Sequence, residues 1–322
     1  MDQRLEQLKV WLNTNGITYQ DIAPASADAS FRRYFRITDD GKTFIVMDAP
    51  PEKEDCQPFI HIAKLLLERG LNVPEILQQD LEQGFLLLSD LGTTVFLSEL
   101  NNDMVDEMYI AAMNSLLLLQ NNNNPDLPAY DETLLRTEMA LFPDWYLEKQ
   151  LNITVTDEIK ETLEQAFAIL VENALSQPQV CVHRDYHSRN LMVNQNNPEK
   201  PGVIDFQDAV IGAVTYDLVS LLKDCYIHWP REKVETWVKY FYTQATSLNI
   251  ISSVSFDEFL RWFDLMGLQR HIKVAGIFSR LYHRDGKDGY LNDIPLTMDY
   301  IFDVLERYPE FKPLQTLLRK IL

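Results

Sequence analysis

Three side chains in this sequence have the types and spacing for one kind of chemistry. Asp185 lies in His183-Arg184-Asp185-Tyr186-His187-Ser188-Arg189-Asn190, and Asn190 follows it by five residues. Asp205 comes fifteen residues after Asn190, within Val203-Ile204-Asp205-Phe206-Gln207-Asp208. A carboxylate within hydrogen-bond reach of a hydroxyl can take its proton. An amide oxygen and a second carboxylate can hold magnesium against nucleotide phosphates. Phosphoryl transfer needs that positioning and charge neutralisation, and little covalent chemistry from the protein. Asp and Asn also favour turns, so each residue alone says little. Together they predict a site with Asp185 as base and Asn190 and Asp205 as ligands of Mg2+.

The neighbours of these three have plainer readings. His183 is expected to hold the loop by hydrogen bonds, as a buried histidine usually does. Asp208 reads either as a supporting carboxylate near the metals or as a turn residue. Asp217 opens a helix expected over 216–226, where the macrodipole favours a carboxylate, and it is also placed to brace the loop.

The elements that must position these residues follow from periodicity. Strands are predicted over 31–37 and 43–47 with Asp39-Asp40-Gly41 as their turn. A helix follows near 58–69, ended by Gly70, then short strands over 73–77 and 85–88. Beyond Gly92 helical spacing takes over up to about residue 119, and the Asn121–Asn124 tract with Pro125 breaks it. Helices are predicted over 137–150 and 157–175. A strand over 180–182 leads into the Asp185 loop, and 191–193 with 202–204 reads as a small hairpin. Later residues read as helical, with Ser255-Phe256-Asp257-Glu258 as a capping box before 259–272. The pattern predicts an α+β fold: a small β-rich lobe over 1–89 and a larger, mainly helical lobe over 90–322. A nucleotide is expected near the junction at 88–92.

Composition narrows the partners. The chain has 322 residues and a net charge of −19, which argues against nucleic acid and anionic membrane as partners. Three cysteines without a CxxC pair fit a reducing cytoplasm. No signal-peptide-like or membrane-length apolar run is present. GxxxxGK[ST], HExxH and GxSxG are all absent.

Within this acidic chain Arg32, Arg33 and Arg36 concentrate positive charge beside the small residues Ser26 to Ser30. Small residues let a backbone approach phosphates. Ser30, Arg32 and Arg33 are therefore nucleotide-binding candidates. On a strand Arg32 and Arg33 face opposite sides, so at most one meets the cleft, and solvated strand arginines are the competing reading.

The chain resembles the aminoglycoside phosphotransferase and choline kinase group, which has a bilobal protein-kinase-like fold. The strongest motifs are 183–190 and Ile204-Asp205-Phe206. The resemblance implies ATP and Mg2+ as cofactors. It also implies a hinge at Phe85-Leu86-Leu87-Leu88-Ser89-Asp90-Leu91-Gly92, with the backbone of Ser89 and Leu91 on the adenine edge. Ser30–Arg36, Val46–Glu52, Asp205–Ala209, Gln269–Phe278 and Arg284–Lys287 are similar to bacterial N-acetylmuramate/N-acetylglucosamine kinases. That likeness implies ATP-dependent phosphorylation of an amino sugar's anomeric hydroxyl in cell-wall recycling. No nucleic acid, membrane or protein partner is expected.

Most of the wider group carries a third-strand lysine paired with a helix glutamate. Here the strand reads Phe44-Ile45-Val46-Met47-Asp48 and the helix Phe59-Ile60-His61-Ile62-Ala63, with neither. Arg32, Arg33, Lys42 and Lys53 are unranked candidates for neutralising the phosphates. A catalytically silent module is one rival reading, and a choline, homoserine or fructosamine kinase is another. For the acceptor, Trp145 and Tyr146 are candidates to stack on a sugar face. Arg270, His271 and Arg280 are candidates to meet a substrate carboxylate. Core packing and surface ion pairs compete with those roles.

Overall fold

The computed structural model describes residues 2–27, 31–121 and 127–322. Ser30 and the asparagines at 122–124 lie outside them. The chain divides into two compact units: Met1–Val95 with Leu191–Asp208, and Phe96–Asn190 with Ala209–Leu322. Residues 191–208, expected with the second lobe, group instead with the first unit.

Helix α1 (Gln3–Thr14) starts at Asp2, whose side chain accepts from the Leu5 N–H. An antiparallel sheet follows, of β1 (Asp21–Ala27), β2 (Arg33–Asp39), β3 (Lys42–Asp48), β4 (Ile76–Asp80) and β5 (Phe85–Ser89). Helix α2 (Gln57–Glu68) lies between β3 and β4 in sequence. The spatial order is β1-β2-β3-β5-β4. The β2–β3 turn has Asp40 at φ 46° and Gly41 at φ 77°, the left-handed pair a two-residue hairpin requires. Alternation sorts the side chains by face. Phe35, Ile37, Val46, Phe85 and Leu87 form one core with Leu8, Trp11 and Leu12 of α1. Met47, Leu86 and Leu88 are buried on the opposite face. β1 is absent from the predicted strands, because its Pro24 and small residues mask the strand signal. It is an edge strand whose register shifts after Pro24, where a missing N–H costs little.

The second unit begins with α3 (Phe96–Glu99) and α4 (Val105–Gln120), followed by α5 (Glu132–Met139) and a π-helix, Phe142–Gln150. The single helix predicted over 137–150 is thus two elements. Pro143 has no N–H to continue the α-helical ladder, and the chain changes helix type there. Helix α6 (Asp157–Ser176) and β6 (Gln179–Val182) lead to the Asp185 loop.

The chain then returns to the first unit through the short strands β7 (Leu191–Met192) and β8 (Gly202–Val203), as predicted. Val95 bridges Met192, Asn72 bridges Gly202, and Phe206 packs on Phe59 of α2 with ring centroids 4.9 Å apart. These contacts explain why 191–208 belongs there.

Back in the second unit, β9 (Val210–Ala213) pairs with β6, in a stretch where the sequence pattern predicts helix. Then come α7 (Tyr216–Leu222), α8 (Arg231–Ser247), α9 (Phe256–Asp285), α10 (Ile294–Arg307) and α11 (Lys312–Ile321). Ser255 caps α9 by accepting from the Glu258 N–H, and Gly286 ends it at φ 68°. Residues 265–276 of α9 are buried on every side, so this helix is the axis of the unit. At Gly276 a Cβ would lie 2.4 Å from the Leu141 carbonyl carbon, so α9 meets the π-helix's approach segment backbone to backbone. Among the described residues no helix is long and apolar enough to cross a membrane.

Candidate active site

The loop from His183 to Asn190 is held from several directions. Asp217, fully buried at the start of α7, accepts from the His183 N–H at 2.7 Å and the Arg184 N–H at 3.0 Å. Burial pushes the Asp217 carboxyl up to about 6, against the pull of His183 and the two amides. Asp224 accepts from the Ser188 N–H at 2.9 Å and the Ser188 hydroxyl at 2.5 Å. The Tyr186 hydroxyl donates to the Ala112 carbonyl at 2.9 Å. His183 Nδ1 accepts from the Asp185 N–H at 3.2 Å. Arg184 sits at φ 78°, a strained position for a non-glycine residue that this bracing maintains.

Asp185 itself is half-buried. Burial pushes its carboxyl up, but the charges of Lys273, His187, Arg270 and His183 outweigh that and hold it below the usual range. It is therefore a carboxylate at neutral pH. Behind the loop, Lys273 donates to Glu138 at 2.9 Å and to the Tyr216 hydroxyl at 3.0 Å. Glu138 also takes Arg184 and the Tyr130 hydroxyl. Burial pushes Glu138 up, and Lys273 with Arg184 more than offsets it. The buried charges of this cluster are thus paired and hydrogen-bonded, as burial requires.

Asn190 Nδ2 donates to the Asp185 carbonyl at 3.0 Å. That bond fixes the amide plane, in which Oδ1 is the acceptor oxygen. In the first unit, Asp205 sits at φ 65° and its Oδ1 accepts from Gln207 Nε2 at 2.8 Å. Phe206 is fully buried beside it. Neutral and anionic oxygens of this kind suit a hard divalent cation such as Mg2+.

The other predicted residues are distributed as follows. Arg33 binds Asp48 at 2.5 Å and also Asp2, while Arg4 bonds the same Asp48 through Nε at 3.1 Å. Asp48 is fully buried. The end of β3 thus carries a carboxylate between two arginines. Arg32 lies 3.9 Å from Glu54, and Arg36 binds Asp90 at 2.6 Å, next to Leu91. The Ser89 N–H already donates to the Glu75 carbonyl at 2.9 Å. Asp208 is exposed. Trp145 is half-buried in the π-helix. His271 is fully buried, its Nε2 2.9 Å from the Lys223 carbonyl and its ring stacked on Tyr300. Arg280 is half-buried, and burial with Arg284 lowers its basicity. Asp185, Asn190 and His183 share one loop, and Arg270 acts on Asp185 from α9.

Sequence reasoning missed Asp224, Lys273 and Glu138. Lys273 had a signal, since it lies three residues from Arg270 on the same helical face.

The profile of the phosphotransferase enzyme family matches residues 21–248. The chain is 45% identical to the N-acetylmuramate/N-acetylglucosamine kinase of Pseudomonas putida, over 99% of this chain and 97% of that protein. Its structure is similar to an ethanolamine kinase of Plasmodium vivax, with TM-score 0.67 and 12% identity over 95% of this chain and 87% of that one. It is also similar to an ADP-bound aminoglycoside phosphotransferase, with TM-score 0.59 and 15% identity over 93% and 98%. The chain thus has a protein-kinase-like fold and belongs to the phosphotransferase enzyme family.

Proposed function

We propose that this protein is an ATP- and Mg2+-dependent kinase of the anomeric hydroxyl of N-acetylmuramate and N-acetylglucosamine. The observation that carries the reading is Asp185, kept ionised by surrounding cations on a loop braced by Asp217 and Asp224. A carboxylate so held takes the acceptor proton as the hydroxyl attacks the γ-phosphorus. An anomeric hydroxyl is more acidic than an ordinary alcohol, so a base below the usual carboxylate range is adequate. Asn190 and Asp205 would offer oxygens to Mg2+, which supplies charge neutralisation on the phosphates. The 45% identity to an amino-sugar kinase, over 99% of this chain, supports the acceptor class.

The test is phosphorus NMR of the product made from each sugar with ATP. A phosphate resonance coupled to the C1 proton is expected. Phosphate on C6, or no transfer to either sugar, would refute the reading.

A further inference from the structure

Arg270 is 3% exposed, yet its Nε has no hydrogen-bond partner. Its Nη1 makes a weak contact to Cys225 Sγ at 3.7 Å, and no carboxylate lies within ion-pair distance among the described residues. A guanidinium cannot shed its proton to escape this. Asp185 and Asp224 act on this charge only from beyond ion-pair distance, and an unsatisfied buried donor signals a missing acceptor. His187 adds a second orphan. Its Nδ1 is buried and unpartnered, while its backbone N–H donates to the Asp185 carbonyl at 3.0 Å. The charges of both side chains act on Asp185, and Arg270 and His187 act on each other. The surrounding groups are otherwise engaged. Lys273 pairs with Glu138, Asp224 with Ser188, and Asp217 with the loop amides.

Resting on the kinase reading above, we propose that Arg270 and His187 form the acceptor subsite beside Asp185. The Arg270 Nε–H donates to an acceptor oxygen next to the reacting hydroxyl, and His187 Nδ1 bonds a second polar atom. The class of acceptor follows from charge. An oxygen-rich neutral or anionic molecule, such as a sugar with adjacent hydroxyl and amide oxygens, supplies what the buried guanidinium lacks. A quaternary or primary ammonium cannot, and Arg270 repels it.

The test is ADP release by the full chain with N-acetylmuramate, N-acetylglucosamine, choline and ethanolamine, followed by acceptor and ATP KM values for variants. Arg270→Met is expected to raise the acceptor KM roughly ten- to hundredfold, the span of a lost hydrogen bond to a charged group, with ATP KM unchanged. Should Arg270→Met fail to fold, Arg270→Lys and His187→Ala carry the same expectation. An acceptor KM unmoved in folded variants overturns the subsite and leaves the sugar kinase standing. A drop in melting temperature with no change in acceptor KM does so too, marking a structural role or an ordered water. Turnover on choline or ethanolamine alone, or on none of the four, overturns both.

Discussion

Asp217 and His183 are joined by a 2.7 Å hydrogen bond from the backbone of the loop to a carboxylate with no solvent exposure. Arg184 gives the same carboxylate a second amide. One side chain at the start of α7 therefore sets the backbone on which Asp185 rides. Asp217→Ala should lower kcat with little change in the ATP KM, because the loop that carries the proposed base loses its anchor. An effect confined to the ATP KM would sink this.

The same residue predicts a pH signature. Its folded value, about 6, stands above the ordinary 3.8 expected of an unfolded chain, so the native state binds the extra proton. The contribution is full below about pH 4 and is lost as pH rises through about 6. The size is on the order of 3 kcal/mol. Asp217→Asn cannot titrate. Urea melts of the two proteins from pH 4 to 7 should show the wild type losing stability relative to the variant across that window. A constant difference would count against it.

Asp185→Asn removes the proposed proton acceptor and keeps the shape. Turnover should fall by roughly 10²–10⁴-fold, the range of general-base catalysis, with ATP affinity retained. Near-normal ADP release from the variant would remove Asp185 from the mechanism.

Asp48 lies fully buried between Arg4 and Arg33. Replacing both arginines with Met leaves an uncompensated carboxylate and should cost about 3–5 kcal/mol. Adding Asp48→Leu should recover most of it. Since Arg33 is engaged with Asp48 and Asp2, Arg33→Met should leave the ATP KM unmoved. Denaturation curves in which the three substitutions simply add would contradict this account.

Gly276→Ala places a methyl 2.4 Å from backbone of Leu141. Neither a helix axis nor a backbone carbonyl can yield as a side-chain tip does, so about 1–3 kcal/mol should be lost. A thermal melt matching wild type would mean the two segments separate more readily than their packing implies.

The residues proposed to do chemistry are legible as candidates because their types and spacing are local to one loop and one strand end. Asp185, Asn190 and Asp205 can be named from a string of letters. Their supports cannot. Glu138 meets Lys273 across 135 positions and Asp224 meets Ser188 across 36, and nothing local records either meeting. The sheet is readable where alternation is clean, as in Phe35 and Ile37. It is hidden at β1, where an edge tolerates Pro24, and at β9, whose apolar Val210–Ala213 run merges with the helical pattern of its C-terminal neighbours. The break between α5 and the π-helix is hidden as well, because a proline inside a helical pattern marks a change without saying to what.

The hairpin that returns residues 191–208 to the first unit has a consequence for biosynthesis. A ribosome delivers the chain from its N-terminus, and the five-stranded sheet emerges first. Its unit stays incomplete through nearly a hundred further residues of the other unit, until Asp208 is made. No single proteolytic cut can then release either unit whole. Asn190 and Asp205 stand on either side of such a crossing, so a chain that ends or is cut between them carries only one of the two proposed oxygen donors.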